Sequence, residues 1–271
     1  MRSTRILTAG ALLFAAACSS NPTSTTPGLD ALITADVAIM SADATTEDVD
    51  VMAAMDGDIG VLVSAPLMEG MFLTPPGGPR MGGCTFAAGQ FSCPPMTRNG
   101  LTITRTVVFK DAAGVTQSAY DAATTASIHV TSSVTGDVTH GPWSATITRD
   151  RDFTISGLVG AETTRIVNGT GNETLTRSRV TEGNETRSYS LTGTSVVANV
   201  VVPVRAEGVD PWPLSGTITR TYTVTRTSGA DSGRTVTRTV VITFNGTATP
   251  TATVNGTSFT LDLAHRTATR R

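Results

Sequence analysis

Residues 217–227 read Thr-Ile-Thr-Arg-Thr-Tyr-Thr-Val-Thr-Arg-Thr. In an extended chain successive side chains point to opposite faces, so the threonines form a comb on one face while Ile218, Arg220, Tyr222 and Val224 share the other. The four-residue phrase Thr–aliphatic–Thr–Arg within this stretch occurs six times, beginning at Thr102, Thr146, Thr174, Thr217, Thr223 and Thr235. Strict period-2 alternation in β-branched residues is the pattern of a half-buried strand and not of a helix.

Outward from these phrases the same alternation continues. Leu101, Ile103, Arg105, Val107 and Phe109 oppose Thr102, Thr104 and Thr106, and the run from Trp143 to Ile155 repeats the arrangement. Strands are expected over approximately 84–87, 90–93, 100–110, 114–120, 125–135, 143–157, 163–168, 173–180, 185–193, 195–204, 215–227, 234–245, 250–254 and 258–266. Turns are expected at Asn99-Gly100, 111–114, Gly136-Asp137, Asn168-Gly169, 182–184, 228–233, Asn245-Gly246 and Asn255-Gly256. Short connections make neighbouring strands antiparallel. The fold class is therefore all-β: a large antiparallel meander sheet, or a partly closed barrel or sandwich, spanning 76–271.

Ahead of it, 29–75 reads as a helix-rich segment. Ile33, Val37 and Met40 make one apolar stripe, and Val49, Met52 and Met55 a partial second. Thr45 with Asp48 resembles a capping pair, and Gly57 a stop. The segment is expected to pack on the sheet as a lid. Asp48, Asp50, Asp56 and Asp58 lack the glycine and terminal glutamate of a calcium loop and read as a solvated acidic helix end.

The chain has 271 residues, a net charge of −2 and 39% hydrophobic content, which suits one large or two small domains. Its 5% aromatic content is thin for stacking on sugars or bases. Lys110 is the single lysine against nineteen arginines, a bias that a GC-rich genome produces by itself. The basic excess near the C-terminus is too slight to argue for nucleic acid.

Residues 1–17 have the form of an export signal. Arg2 and Arg5 precede an apolar run, Ile6 to Ala17, too short to span a bilayer as a mature helix. The run ends in Phe14-Ala15-Ala16-Ala17-Cys18, which resembles the lipobox of bacterial lipoproteins, with Ala15 standing where the pattern favours leucine. The resemblance covers the signal alone. It implies cleavage before Cys18, acylation of its thiol and amine, and, with Ser19 following, sorting to the outer membrane. Residues 18–28 then form a polar tether of at most about 35 Å. The membrane becomes a partner through the lipid anchor.

Cys84 and Cys93 remain as a pair in an oxidising compartment. The segment between them folds as a hairpin about Ala88-Gly89, setting Phe86 opposite Phe91 and Cys84 opposite Cys93. A structural disulfide is expected there.

The odd feature is arginine on the apolar face. A buried guanidinium must find a carboxylate, water or an anion. Glu173 near Arg177 and Glu185 near Arg187 are local partners, whereas Arg105, Arg220 and Arg238 have none nearby. Either the strands twist and the arginine heads reach solvent at the rim, or Arg105, Arg220 and Arg238 form a polar band that holds a lipid or other amphipathic anion.

No nucleophile elbow, phosphate loop, zinc-binding helix or dinucleotide motif is present. His129, His140 and His265 are widely separated, so no catalytic residue, metal site or cofactor is expected. The Asn-x-Thr triplets at Asn168, Asn172, Asn184, Asn245 and Asn255 read as hairpin turns. Ranked threonines invite comparison with ice-binding arrays, but irregular strand spacing and abundant arginine argue against them. The expectation is a non-enzymatic, membrane-anchored envelope protein with a structural or interaction role, facing the periplasm or the cell surface. The alternative is a periplasmic carrier of an amphipathic anion.

Overall fold

A computed structural model describes residues 28–53, 83–98, 100–140, 143–159, 162–180, 186–204, 211–229 and 232–271. The expected signal, Cys18, nearly all of the tether, Met55 to Gly57, Asp58, Asn184 and Glu185 lie outside the described residues.

One helix, α1 (Leu29–Ala53), precedes an antiparallel sheet. The strands are β1 (Thr85–Ala87), β2 (Gln90–Arg98), β3 (Leu101–Asp111), β4 (Thr116–Gln117), β5 (Thr125–His140), β6 (Trp143–Ser156) and β7 (Thr164–Val180). They continue with β8 (Thr186–Pro203), β9 (Ser215–Arg226), β10 (Thr235–Thr243), β11 (Thr251–Val254), β12 (Thr257–Asp262) and β13 (Thr267–Arg270). Each strand pairs with its neighbours in sequence, except that β4 pairs only with β3, which pairs onward to β5. The sheet is an open meander whose end strands, β1 and β13, do not pair with each other.

Three expected breaks are continuous strand. Asn168-Gly169 lies inside β7 at a register shift, the gap expected at Thr194 lies inside β8, and Gly136-Asp137 lies inside β5. Glycine in a strand is as consistent with close approach as with a turn. A Cβ on Gly193 would sit 2.5 Å from Cδ1 of Tyr222, the residue opposite it on β9. The expected strand at 114–120 shrinks to two residues, and 258–266 divides into β12 and the turn before β13. Asn168 and Asn172 are strand residues and not turns, whereas Asn255 does occupy the β11–β12 turn, at φ 45°.

The alternation read from sequence holds along the strands except at bulges, as at Asn199 of β8 (φ 49°), where the buried positions pass from odd (Tyr189, Leu191, Val197) to even (Val200, Val202). The inner face carries the core, including Val107, Ile128, Phe153, Leu191, Ile218 and Ile242. The outer face is hydroxylated. Thr97, Thr102, Thr135, Thr148, Thr174, Thr192, Thr223 and Thr237 stand opposite one another in a single row across eight strands. The polarity is also the reverse of a bilayer-spanning barrel, which turns apolar side chains outward.

The helix packs on the inner face and is continuous through Thr45, where a second N-terminus was expected. Thr46 Oγ1 lies 3.0 Å from Ala42 O and 2.9 Å from Leu263 O, joining the helix to the segment after β12. From Met40 to Met52 every described side chain is buried or half-buried. The helix is enclosed, not laid on an edge. It also carries six acids (Asp30, Asp36, Asp43, Glu47, Asp48 and Asp50) and no base. Enclosure of so acidic a helix is possible only because of what faces it.

Candidate functional site

The arginines of the inner face meet the carboxylates of α1. Asp48 bridges two strands: Oδ1 accepts from Arg151 Nε of β6 and Oδ2 from Arg220 Nη2 of β9, each at 2.5 Å. Glu47 pairs with Arg149, and Asp30 with Arg238. Asp43 lies 3.8 Å from Arg177. Asp36 accepts from the Tyr189 hydroxyl at 2.8 Å and lies 3.5 Å from Arg179. Glu173, on β7 itself, accepts from Arg149 Nε at 2.8 Å and lies 3.5 Å from Arg220 Nη1.

Sheet register explains how these groups fit. One cross-strand row runs Arg105, Ser132, Arg151, Gly171, Ser195, Arg220 from β3 to β9, alternating large heads with small residues. The next runs Val134, Arg149, Glu173, Gly193, Tyr222, Arg238. A Cβ on Gly171 would lie 3.0 Å from Arg151 Cδ, so glycine leaves room for the guanidinium stem.

The charges shift one another. Burial works against ionisation of Glu173, yet Arg149, Arg220 and Arg151 together hold its carboxyl down at about 2. Burial likewise opposes the charge on Arg149, but Glu47 and Glu173 keep its pKa well above the ordinary value. Asp43 shows the opposite balance: burial dominates, and even with Arg177 nearby its carboxyl is pushed up to about 6. Burial and then Glu173 push the Tyr222 hydroxyl upward.

The sequence expectations divide accordingly. Arg220 is completely buried and Arg238 nearly so, which overturns the reading that their heads reach solvent at the rim. Both spend their charge on the helix. Arg105 is half-buried, with Nη2 3.9 Å from Cys93 Sγ. The three arginines expected to converge thus sit on β3, β9 and β10, with Arg220 and Arg238 bound to carboxylates 18 residues apart on α1 (Asp48 and Asp30). Asp48 is not a solvated helix end but a buried bridge. Glu173 was recognised as an inner-face acid, but it serves Arg149 and Arg220 and not Arg177. Sequence reading missed Asp30, Asp36, Asp43 and Glu47 as partners. The one available signal was charge: a helix with acids and no bases, followed by a sheet whose inner face carries arginine.

At the sheet edge, Cys84 and Cys93 form the expected disulfide, and β1 and β2 pair in the expected register, Phe86 opposite Phe91 and Ala87 opposite Gln90. Ala88 and Gly89 both take positive φ, as a tight two-residue hairpin turn requires.

On the outer face two grooves run across the strands. The first, of about 460 Å³, has one wall of Thr104, Ser133, Asp150 and Asn172 and another of Thr106, Thr131, Asp152 and Thr170. Arg105, Ser132, Arg151 and Gly171 form its floor, and the first three send their side chains to the other side. The second, of about 420 Å³, is bordered by Asp137, Thr146 and Thr176 and by Thr139, Ser144 and Ser178. His129 meets Asp152 at 2.6 Å beside the first groove.

Among the described residues no cluster of three or more His, Cys, Asp or Glu is placed to hold a metal ion, and no described helix is long and apolar enough to cross a membrane. Comparison with protein-family models, curated proteins and solved structures found no match.

Proposed function

We propose that the chain is a lipid-anchored envelope protein without catalytic activity, an interaction module that works through its outer face. The observation that carries this reading is the neutralisation of the inner face: arginines from β6 to β10 are committed to carboxylates of α1 and of β7. A carrier of an amphipathic anion needs Arg220 and Arg238 turned toward its ligand, and their pairing with Asp48 and Asp30 favours the module instead. The lipobox-like run ending at Cys18 supports anchoring, and a tether of about ten residues, at most about 35 Å long, holds the sheet near the membrane.

Fractionation of cells expressing the full chain tests the anchor. Wild type is expected in the membrane fraction, incorporating labelled palmitate, and Cys18→Ala is expected to lose both properties. Wild-type chain that is soluble and unlabelled overturns the assignment.

A further inference from the structure

We infer that the first outer-face groove binds a linear, uncharged polyhydroxylated chain, a neutral glycan. The inference rests on the proposal that the outer face is the working surface.

The groove crosses β2, β3, β5, β6 and β7. Four strand spacings of about 4.8 Å make it roughly 19 Å long. That is the form of a track for an extended polymer and not of a pocket for a compact molecule. Its walls offer hydroxyl, carboxylate and amide groups. Among the described residues, the side chains of Thr104, Ser133, Asp150 and Asn172 make no hydrogen bond to the protein, so their donors and acceptors are free to exchange with those of a ligand.

Charge narrows the ligand. The two arginines of the floor turn inward, and Arg151 is engaged with Asp48. The formal charges on the walls are the carboxylates of Asp150 and Asp152, the latter met by His129. Among the described residues that line the groove both arginines face inward, so a polyanion meets two like charges on the walls and no outward-facing cation. A sugar hydroxyl, in contrast, donates well to a carboxylate.

Shape narrows it further. Neighbouring strands rotate by about 20–25°, so rows of hydroxyls that are in register still spiral across the sheet. A rigid planar lattice such as an ice face cannot follow that spiral for more than a few strands. A polymer with rotatable linkages can. The groove offers no aromatic ring for stacking, so each sugar gains little over water. Binding must therefore grow with chain length. The second groove lies about six residues further along β5, roughly 20 Å away, and gives a long or folded-back polymer a second track.

The test is sedimentation of the full chain, solubilised in a detergent without a sugar headgroup, with insoluble cellulose or chitin as neutral polymers and cross-linked alginate as the anionic one. Wild type is expected to sediment with at least one neutral polymer and not with alginate, and soluble four-sugar fragments are expected to compete poorly. Asp150→Ala with Ser133→Ala is expected to reduce the bound fraction about fivefold or more, the equivalent of one hydrogen bond lost. Thr223→Ala, on the outer face but in neither groove wall, leaves it unchanged. Thermal melts confirm that the variants are folded. Binding to neither neutral polymer, equal binding to alginate, or indifference to the double substitution overturns the inference. A chain that fractionates with membranes yet fails to sediment sinks the glycan site alone, and one that sediments but is soluble in cells sinks the anchor alone.

Discussion

Asp48→Asn removes one charge and almost no volume, and it strikes where helix and sheet are joined. The carboxylate is about 1% exposed and holds Arg151 and Arg220, two strands of the sheet separated by β7 and β8, through one oxygen each at 2.5 Å. In the variant both guanidiniums stay buried without their shared counter-ion. Among the described residues Arg220 keeps long contacts, 3.5 Å to Glu173 and 3.5 Å to Thr45. Leaving a buried charge uncompensated costs about 3–5 kcal/mol. Against a typical total of about 5–15 kcal/mol this is a large fraction, and in a domain of this size it lowers Tm by about 6–20 °C. Urea unfolding followed by circular dichroism reads the loss as a lower midpoint at unchanged slope. Asp150→Asn, an exposed acid on the neighbouring outer row, is expected to change stability by about 0.5 kcal/mol or less. Adding Arg220→Met to Asp48→Asn should cost less than the sum of the two single changes, because the second removes a charge the first has orphaned. If Asp48→Asn lies within about 1 kcal/mol of wild type, the helix is not seated on the sheet as described.

Two further outcomes follow from the same network. Asp43 has a folded pKa of about 6 against an ordinary 3.8, so its contribution to stability is full below about pH 4 and is lost as pH rises through 6. Glu173, held at about 2 against 4.5, contributes above about pH 4.5 and loses that contribution as pH falls toward 2. A Tm–pH profile is expected to decline from pH 4 to 6 in wild type more than in Asp43→Asn, and to decline below pH 4.5 more than in Glu173→Gln; parallel profiles refute the assignment. Gly193→Ala places a methyl group against the Tyr222 ring and is expected to cost about 1–3 kcal/mol in urea unfolding. Tyr222→Leu in the same chain should recover part of that loss, and strict additivity of the two changes would show that the contact is absent.

The sheet was legible because period-2 alternation is a local property. Each Thr–aliphatic–Thr–Arg phrase declares its two faces within four residues, and the Cys84–Cys93 hairpin declares its register within ten. The strand interruptions were misread where glycine serves a neighbour on the adjacent strand, as Gly169 serves Phe153, since the neighbour is not visible from the glycine's own segment. The partners of the arginines were illegible for a similar reason. Asp48 lies 103 residues from Arg151 and 172 from Arg220, and Asp30 lies 208 from Arg238. No local pattern reports such pairings. Amphipathicity also failed as a guide to α1: the helix is enclosed, and its acids face buried cations, so polar positions no longer mark the solvent side.

The distance between Asp30 and Arg238 bears on how the chain comes into being. The helix is synthesised first, yet its counter-charges arrive as late as Arg238 of β10, 208 residues after Asp30, and Arg266 beyond β12, whose charge bears on Asp43. Until then the first-made segment is an acidic peptide with no home, too polar to collapse alone and lacking the guanidiniums that make its enclosure favourable. Early strands meanwhile expose an arginine-studded inner face that nothing yet neutralises. Maturation must be late and all-or-none, as expected where non-local contacts dominate. A chain cut short before β10 would leave the cell with a substrate for proteases and not a smaller version of the protein.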